Sequence, residues 1–479
     1  MGESFKTLSA ELTGRPAQSL LFLLVTCLCI ALLATPYYPY ALLPGFVILV
    51  LLFLGRAPQF GYYLIIFLIP FWSFRGLSET YRFLKLHWLL AFWLLILLAF
   101  QLILRKREAT ELRSNLWPWF LMLLTISFIS ALLSKYQEAA FTNLFLLAVA
   151  GLFLALNLAF ISREGFSVIL PAVLILSVSA SSLLGVLGYV FDLRFFVQST
   201  ATEVKRSIGG ALEPNNLSLM IIFTLPLLVN WIAGTRKRWM RIGLTFPFCL
   251  DIAGIVVTYS RGGAVILLIT LLLLFVSYVK QFRPRSLGFI MILIPLAIGL
   301  SIFLTPSAYW ERQKSIVRAE SDFAIERRIS YLYAGWEAFL KDPLLGAGPG
   351  TFKEVYATTK YAQHFSKEEK DFKRYAHNTY LEHLVGTGIL GLVVFLVIVF
   401  VALRNFLKAR RNFLSRGDPD TGSWARAYTI SFLSLLVYLF IFSDIYHKYL
   451  LLSLGLSQVA LSLSLAGDSR SKDDVVAAP

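Results

Sequence analysis

The sequence predicts an all-α polytopic membrane protein, with about 12–14 transmembrane helices of about 20 residues each and one large helical extracytoplasmic loop. Three observations carry this reading. Of 479 residues, 57% are hydrophobic and only 15% charged, against about 25% charged in an average soluble chain. Apolar runs long enough to cross about 30 Å of hydrocarbon recur along most of the chain. Basic residues cluster in alternate short connections, as the positive-inside rule requires. The same composition excludes a disordered chain, a coiled coil and a disulfide scaffold, and it argues against a soluble multidomain enzyme. The net charge of +16 would suggest nucleic acid in a soluble protein. Here it reads as membrane topology, and no nucleic-acid partner is expected.

Residues 1–18 are mostly polar and precede an apolar run from Ser19 to Ala34. Thr35-Pro36-Tyr37 is a poor cleavage site and further apolar runs follow at once, so this is read as an uncleaved first span. Candidate spans fall near 18–35, 37–55, 59–74, 84–104, 116–134, 138–161, 167–191, 215–233, 241–259, 262–280 and 286–305. After a polar interval come 377–403, 425–443 and 446–466. None alternates with period 2, so an outer-membrane barrel is not indicated. With the N-terminus inside, the short inside loops hold Arg105-Lys106-Arg107, Arg236-Lys237-Arg238 with Arg241, Lys280 with Arg283 and Arg285, and Arg404 through Arg416. Arg75, Arg82 and Lys85 are the main exception. The division is then 1–305 N-terminal transmembrane helices, 306–376 extracytoplasmic cap, 377–466 C-terminal transmembrane helices and 467–479 cytoplasmic tail.

The 306–376 segment carries twelve Lys/Arg and ten Asp/Glu, which a long translocated loop tolerates. Ile325, Ile329, Leu332, Trp336, Phe339 and Leu340 recur at helical spacing and predict an amphipathic helix. Asp342-Pro343 ends it, and Leu344-Leu345-Gly346-Ala347-Gly348-Pro349-Gly350 follows as a tight loop. Gly346-x-Gly348-x-Gly350 mimics a nucleotide fingerprint. It follows a helix and contains proline, so a Rossmann reading is rejected.

Three connections on the outer face hold residues suited to chemistry. The Gly262-Gly263 pair after Arg261 permits a tight reversal, so the run reads as a helical hairpin with Arg261 at its tip, whose only other charge between Ile242 and Val279 is Asp251. Arg261 is either an arginine snorkelling to the interface or an anion ligand, since a guanidinium offers phosphate a planar fork of donors. Arg206 precedes Gly209-Gly210 and Glu213-Pro214-Asn215-Asn216, where glycines permit close backbone approach and Pro214 suits a first helical turn. Among five histidines, His377 lies at the junction of the cap and the next span, on the face that both arginines share. A neutral imidazole there can accept a hydroxyl proton. His377 and His383 do not share a helix face, and no metal-binding motif stands in an outer loop; no metal or other cofactor is expected. Asp251 at membrane depth suits either an ion relay or a hydrogen bond to a neighbouring helix.

Together these residues resemble a family. Thr258-Tyr259-Ser260-Arg261-Gly262-Gly263 is similar to the T-x-S-R-G-G signature of the O-antigen ligase and polymerase superfamily. Arg327-Arg328, Trp336, Phe339 and Pro343 through Phe352 resemble its R…W…P-L-L-G-x-G-x-G-x-F segment. His377-Asn378 and Gly386 through Gly391 resemble its H-N…E-x-G-x-x-G element, with Gly386 where the family often has glutamate. Arg206, Gly209-Gly210 and Pro214-Asn215 match an upstream R-x-x-G…P-N element. The four run in the family's order over residues 205–395.

The resemblance implies a GT-C-like glycosyltransferase of the bacterial inner membrane, active on its periplasmic face and independent of metal. The donor is a glycan on undecaprenyl diphosphate and the acceptor is a hydroxyl of lipid A–core. Polymerases use a second lipid-linked repeat instead, and protein O-oligosaccharyltransferases a protein. By the same resemblance Arg206 and Arg261 hold the diphosphate and His377 is the essential histidine, read as the general base; direct attack on the anomeric carbon implies inversion. Asn215 is read as a further substrate contact, and Arg327 and Arg328 either as additional phosphate contacts or as part of a solvated helix face. Besides those substrates, membrane lipid is the expected partner. The rival class is a transporter or lipid flippase using Asp251 and the outer arginines as a path. It is disfavoured because no inverted repeat is visible and the notable residues gather at one face.

Overall fold

The computed structural model describes residues 43–71, 86–105, 107–199, 205–211, 213–279, 323–365, 372–443 and 446–476, with a few positions between 23 and 35. The spans expected at 18–35 and 286–305, like residues 306–322 of the cap, lie outside the described residues or nearly so. In chain order the helices are α1 (Leu43–Arg56), α2 (Pro58–Leu68), α3 (Leu86–Ile103), α4 (Trp117–Leu133), α5 (Gln137–Phe160), α6 (Leu170–Val190), α7 (Pro214–Gly234), α8 (Arg238–Thr258) and α9 (Arg261–Tyr278). The cap contributes α10 (Phe323–Lys341), α11 (Phe352–Ala357) and α12 (Lys360–Phe365). Then come α13 (Thr379–Ser415), α14 (Pro419–Leu439) and α15 (Lys448–Val476).

Seven helices among the described residues are long and apolar enough to cross a membrane, or eight with one bent pair included. The chain is a multi-pass membrane protein. Two differences from the sequence reading have local causes. The spans expected at 37–55 and 59–74 form a bent pair, Ile48–Arg56 and Pro58–Phe71, turning through 112°. Pro58 cannot donate a backbone hydrogen bond, and this ends α1. Apolar helices also cover the expected spans near 84–104 and 116–134 but stay shorter, as His87–Ile103 and Trp117–Leu133. Among the described residues the all-helical pattern is interrupted by one small ribbon, β1 (Val197–Ser199) against β2 (Lys205–Ser207), antiparallel with Arg206 opposite Gln198.

One continuous apolar core runs through the bundle, with Phe223, Phe406, Phe432 and Tyr449 fully buried. The central helix α7 has apolar residues all round, as expected of a helix enclosed by others; it packs on α6, α8, α9 and α14. Polar side chains stitch the bundle internally. Tyr62 donates to Asn157 at 2.7 Å, and Ser431 to the Phe223 carbonyl at 2.6 Å. Asp251 is buried between α8 and α6, where Ser179 donates to it at 3.1 Å.

The cap has its own smaller core of Tyr331, Phe352, Tyr356, Ala376, Leu381 and Val385. Because Leu381 and Val385 belong to α13, the cap folds directly onto the start of a spanning helix. The face of α10 that makes this contact is not the one its apolar spacing suggested. Tyr331 and Ala334 are buried, and a Cβ on Gly335 would come within 2.6 Å of Leu381 Cδ1. Ile329, Leu332, Trp336 and Leu340 point outward. Small residues at 334 and 335 let the backbones approach, and this selects the docked face.

The glycine loop completes the junction. Gly346, Gly348 and Gly350 all have positive φ, at 71°, 117° and 68°. The loop lies along an opening in α13 around Gly388 (φ 65°, ψ −166°). There Ala347 N donates to Val385 O at 2.8 Å, Gly348 N to Gly386 O at 2.9 Å and Ile389 N to Pro343 O at 2.9 Å. These glycines therefore make a backbone joint between cap and span. A Cβ on Gly386 would stand 2.9 Å from Gly348 O, so a side chain there would displace the glycine loop.

Candidate active site at the outer ends of α7, α9 and α13

Three chain segments meet where α7, α9 and α13 begin. The α8–α9 connection reverses at Tyr259, whose φ is +51°. Ser260 then caps α9: its Oγ accepts from Gly263 N at 3.0 Å and donates to Asn215 Oδ1 at 2.9 Å. This corrects the part the sequence reading gave to Gly262-Gly263. The reversal happens before them, and they serve close packing within the first turn of α9. A Cβ on Gly262 would reach 2.9 Å from Phe442, and one on Gly263 2.8 Å from Ser218.

Arg206 reaches the same place from β2. Its Nε donates to the Thr258 carbonyl at 2.9 Å and its Nη2 to Asn215 Oδ1 at 3.2 Å. Asn215 thus joins Arg206 to the Ser260 cap through one oxygen. Gly209 and Gly210 have a different task. Gly210 N donates to Ser181 Oγ at 3.0 Å, and a Cβ on Gly210 would stand 2.8 Å from Pro70 O. They seat the loop on the bundle instead of opening space for a ligand.

His377 enters from the cap side. It too has a left-handed backbone, φ +51°. Its neighbours hold the turn: Ala376 N donates to Glu382 Oε1 at 3.0 Å and Asn378 N to Ser443 Oγ at 3.1 Å. Asn378 caps α13 by accepting from Leu381 N at 3.0 Å. Tyr331 stacks on the imidazole with centroids 6.0 Å apart and planes at 30°, while Phe442 meets it edge-on at 6.5 Å. The Arg328 guanidinium lies 5.6 Å from the Phe442 ring centroid.

All six residues singled out from the sequence, Arg206, Asn215, Arg261, Arg327, Arg328 and His377, line one cavity of about 430 Å³. Among the described residues no carboxylate shares the lining, which is completed by aromatic and aliphatic groups such as Tyr259, Tyr331 and Phe442. Four non-glycine residues have left-handed φ among the described residues, and two of them, Tyr259 and His377, line this cavity. Such backbone concentrates at functional sites because surrounding structure must hold it. Burial, and then the nearby Arg328, Arg327 and Arg374, push the His377 imidazole down to about 4. It is therefore a neutral proton acceptor at ordinary pH. Among the described residues no cluster of three or more His, Cys, Asp or Glu is placed to hold a metal.

The sequence reading missed Tyr259, Tyr331 and Phe442. The spacing held one signal: Tyr331 is four residues after Arg327, so both share a helix face. Asp251 and His383 stay apart from the cavity, the latter stacked on Phe395 at 4.2 Å within α13. At one end of the helical bundle, then, the cap roofs an arginine-lined cavity, and a neutral histidine stands where the cap meets α13. Residues 246–396 match the family model described as O-antigen ligase. Its members, O-antigen ligases and polymerases, are membrane enzymes of lipid-linked glycans. The match takes in Arg261, Arg327, Arg328 and His377 and stops short of Arg206 and Asn215. No curated protein matches the chain.

Proposed function

We propose that the protein is an O-antigen ligase-type glycosyltransferase. It moves a glycan from undecaprenyl diphosphate to a hydroxyl of lipid A–core at the periplasmic face of the inner membrane. The observation carrying this reading is the convergence of four arginines and one neutral histidine on a single cavity whose described lining holds no carboxylate. Arg206 and Arg261 hold the donor diphosphate, and Arg327 and Arg328 approach it from the cap. Asn215 keeps Arg206 in place and adds a polar contact. His377 takes the proton of the acceptor hydroxyl as its oxygen bonds to the anomeric carbon. The bond from that carbon to the diphosphate oxygen breaks, its electron pair leaves with the diphosphate, and the configuration inverts. The guanidinium groups stabilise the charge that develops on the leaving group. No metal is required in this scheme, since the arginines supply the positive charge.

The orientation is supported by charge. Arg236, Lys237, Arg238 and Arg241 lie at the ends of α7 and α8 opposite the cavity, and Arg404 through Arg416 lie at the far end of α13. A cytoplasmic position for those clusters puts the cavity on the periplasmic side. Purified protein reconstituted with an undecaprenyl diphosphate-linked glycan tests the reading, with lipid A–core, a second lipid-linked repeat and a protein offered separately. Transfer to lipid A–core is the expected result. Transfer only to the lipid-linked repeat makes the enzyme a polymerase, and transfer only to protein an oligosaccharyltransferase. No transfer to any acceptor by folded protein overturns the glycosyltransferase reading.

A further inference from the structure

Helix α10 presents two faces of opposite character. Toward the protein it turns Arg327, Tyr331 and Ala334, the first two lining the cavity. Away from it, Ile329, Leu332, Tyr333, Trp336 and Leu340 are between 45% and 62% exposed. At about 100° per residue these five fall within an arc of about 100°. That arc is as wide as the stripe a helix normally buries, yet here it faces outward. Exposed Glu326, Glu337 and Lys341 follow on one flank and exposed Arg328 on the other.

What covers this stripe is indicated by where it leads. Leu344, 61% exposed, continues it beyond the end of α10, and Leu390 N of α13 donates to Leu344 O at 3.4 Å. From Leu390 the exposed apolar surface runs down α13 through Val393, Leu396 and Phe400, which is the lipid-facing side of a spanning helix. The stripe is thus continuous with surface that already meets acyl chains. Trp and Tyr beside aliphatic residues, with charges on the flanks, is the composition of a helix lying in the plane of a membrane interface.

We propose that α10 is an interfacial helix, its outward face inserted among the acyl chains of the leaflet adjoining the cap. One helix then joins two environments: Trp336 and Leu340 in lipid, and Arg327 and Tyr331 at the cavity. The cavity mouth is held at headgroup depth, where the diphosphate of a lipid-linked substrate lies. The inference rests on the membrane character of the chain and not on transferase chemistry, so its test and the transfer assay fail independently.

The test uses the full chain with its three cysteines replaced by serine, in vesicles of phosphatidylethanolamine and phosphatidylglycerol. Nitroxide labels are placed through Leu332→Cys, Trp336→Cys and Leu340→Cys, and through Glu326→Cys and Lys341→Cys. At 332, 336 and 340 collisions with an aqueous nickel chelate are expected to be lost and collisions with oxygen kept. At 326 and 341 nickel collisions persist. Nickel collisions at all five positions, or loss of both reagents at the first three, would overturn the proposal, the stripe then facing water or protein. A measurement without labels guards against misfolded variants: the fluorescence difference between the native chain and Trp336→Phe. Acyl-brominated lipid should quench that difference and acrylamide should not. Quenching by acrylamide alone, or by neither, rejects insertion.

Discussion

The ring of Tyr331 lies over the imidazole of His377, centroids 6.0 Å apart and planes at 30°. One residue belongs to the cap and the other to the turn that begins a spanning helix, so the stack joins the two parts of the site. His377 lies in a left-handed turn whose neighbours are tied down by Glu382 and Ser443. Its backbone and ring are therefore both set before any substrate arrives.

His377→Ala should lower glycan transfer by about 10²–10⁴-fold, the range a positioned general base contributes, with membrane abundance unchanged. Single-turnover transfer by purified protein checks this. Transfer at the native rate would remove the histidine from the mechanism.

Arg261→Ala should lower transfer by about 10²–10³-fold, as loss of a group stabilising developing charge does, and Arg261→Lys should recover only part. Lysine keeps the charge but loses the planar fork that matches two phosphate oxygens. The comparison is made on kcat with saturating donor.

Asn215→Ala removes one oxygen that accepts from both Arg206 and Ser260. Leaving such donors without their acceptor costs about 1–3 kcal/mol. Transfer is expected to fall about tenfold, a cost of about 1.4 kcal/mol, with the main effect on donor KM because Arg206 loses its tether. Donor titration of the purified variant measures it.

His377 titrates near 4 in place of its ordinary 6.5, burial being the main cause and Arg328, Arg327 and Arg374 the next. The acid limb of the pH–kcat/KM profile should therefore fall at about pH 4, and transfer should stay level between about pH 5.5 and 7.5. The stability sign follows. The unfolded histidine takes up its proton near 6.5 and the folded one resists until about 4. This group's contribution is complete above about pH 6.5 and is lost as pH falls toward about 4. Arg328→Gln should move the acid limb upward.

Gly388→Ala should destabilise the protein by more than the ~1–3 kcal/mol of a strained backbone position. A Cβ there would overlap the Leu344 carbonyl of the docked glycine loop. The expected outcome is reduced membrane abundance and a lower Tm in detergent. Gly234→Ala, where a Cβ meets nothing within 4 Å, is the silent control.

Much of this molecule is legible in its sequence because bilayer thickness imposes a length on every span. The expected runs at 138–161, 215–233 and 241–259 correspond to Gln137–Phe160, Pro214–Gly234 and Arg238–Thr258. The six lining residues were legible through short motifs, which keep local order even when the segments lie far apart. Pairing across distance was not. Nothing local says that Tyr331 meets His377, or that Asn215 bridges Arg206 and Ser260. The glycines misled for the same reason. Flexibility is a local property, whereas Gly262, Gly263 and Gly210 are small because of distant neighbours. The outward turn of Trp336 and Leu340 likewise depends on Ala334 and Gly335 winning the contact with α13.

The opening at Gly388 breaks the helical path of α13. Its 37 residues would extend about 55 Å as one rod, well beyond about 30 Å of hydrocarbon. A rigid rod of that length acts as a lever: tilting in a thicker or thinner bilayer would swing its tip, and His377 with it, through several ångströms. Instead the glycine loop is bonded on both sides of the opening, to Val385 and Gly386 before Gly388 and to Ile389 and Leu390 after it. The joint works as a splint, fastening the cap across the break and tying the turn that holds His377 to the span beneath it.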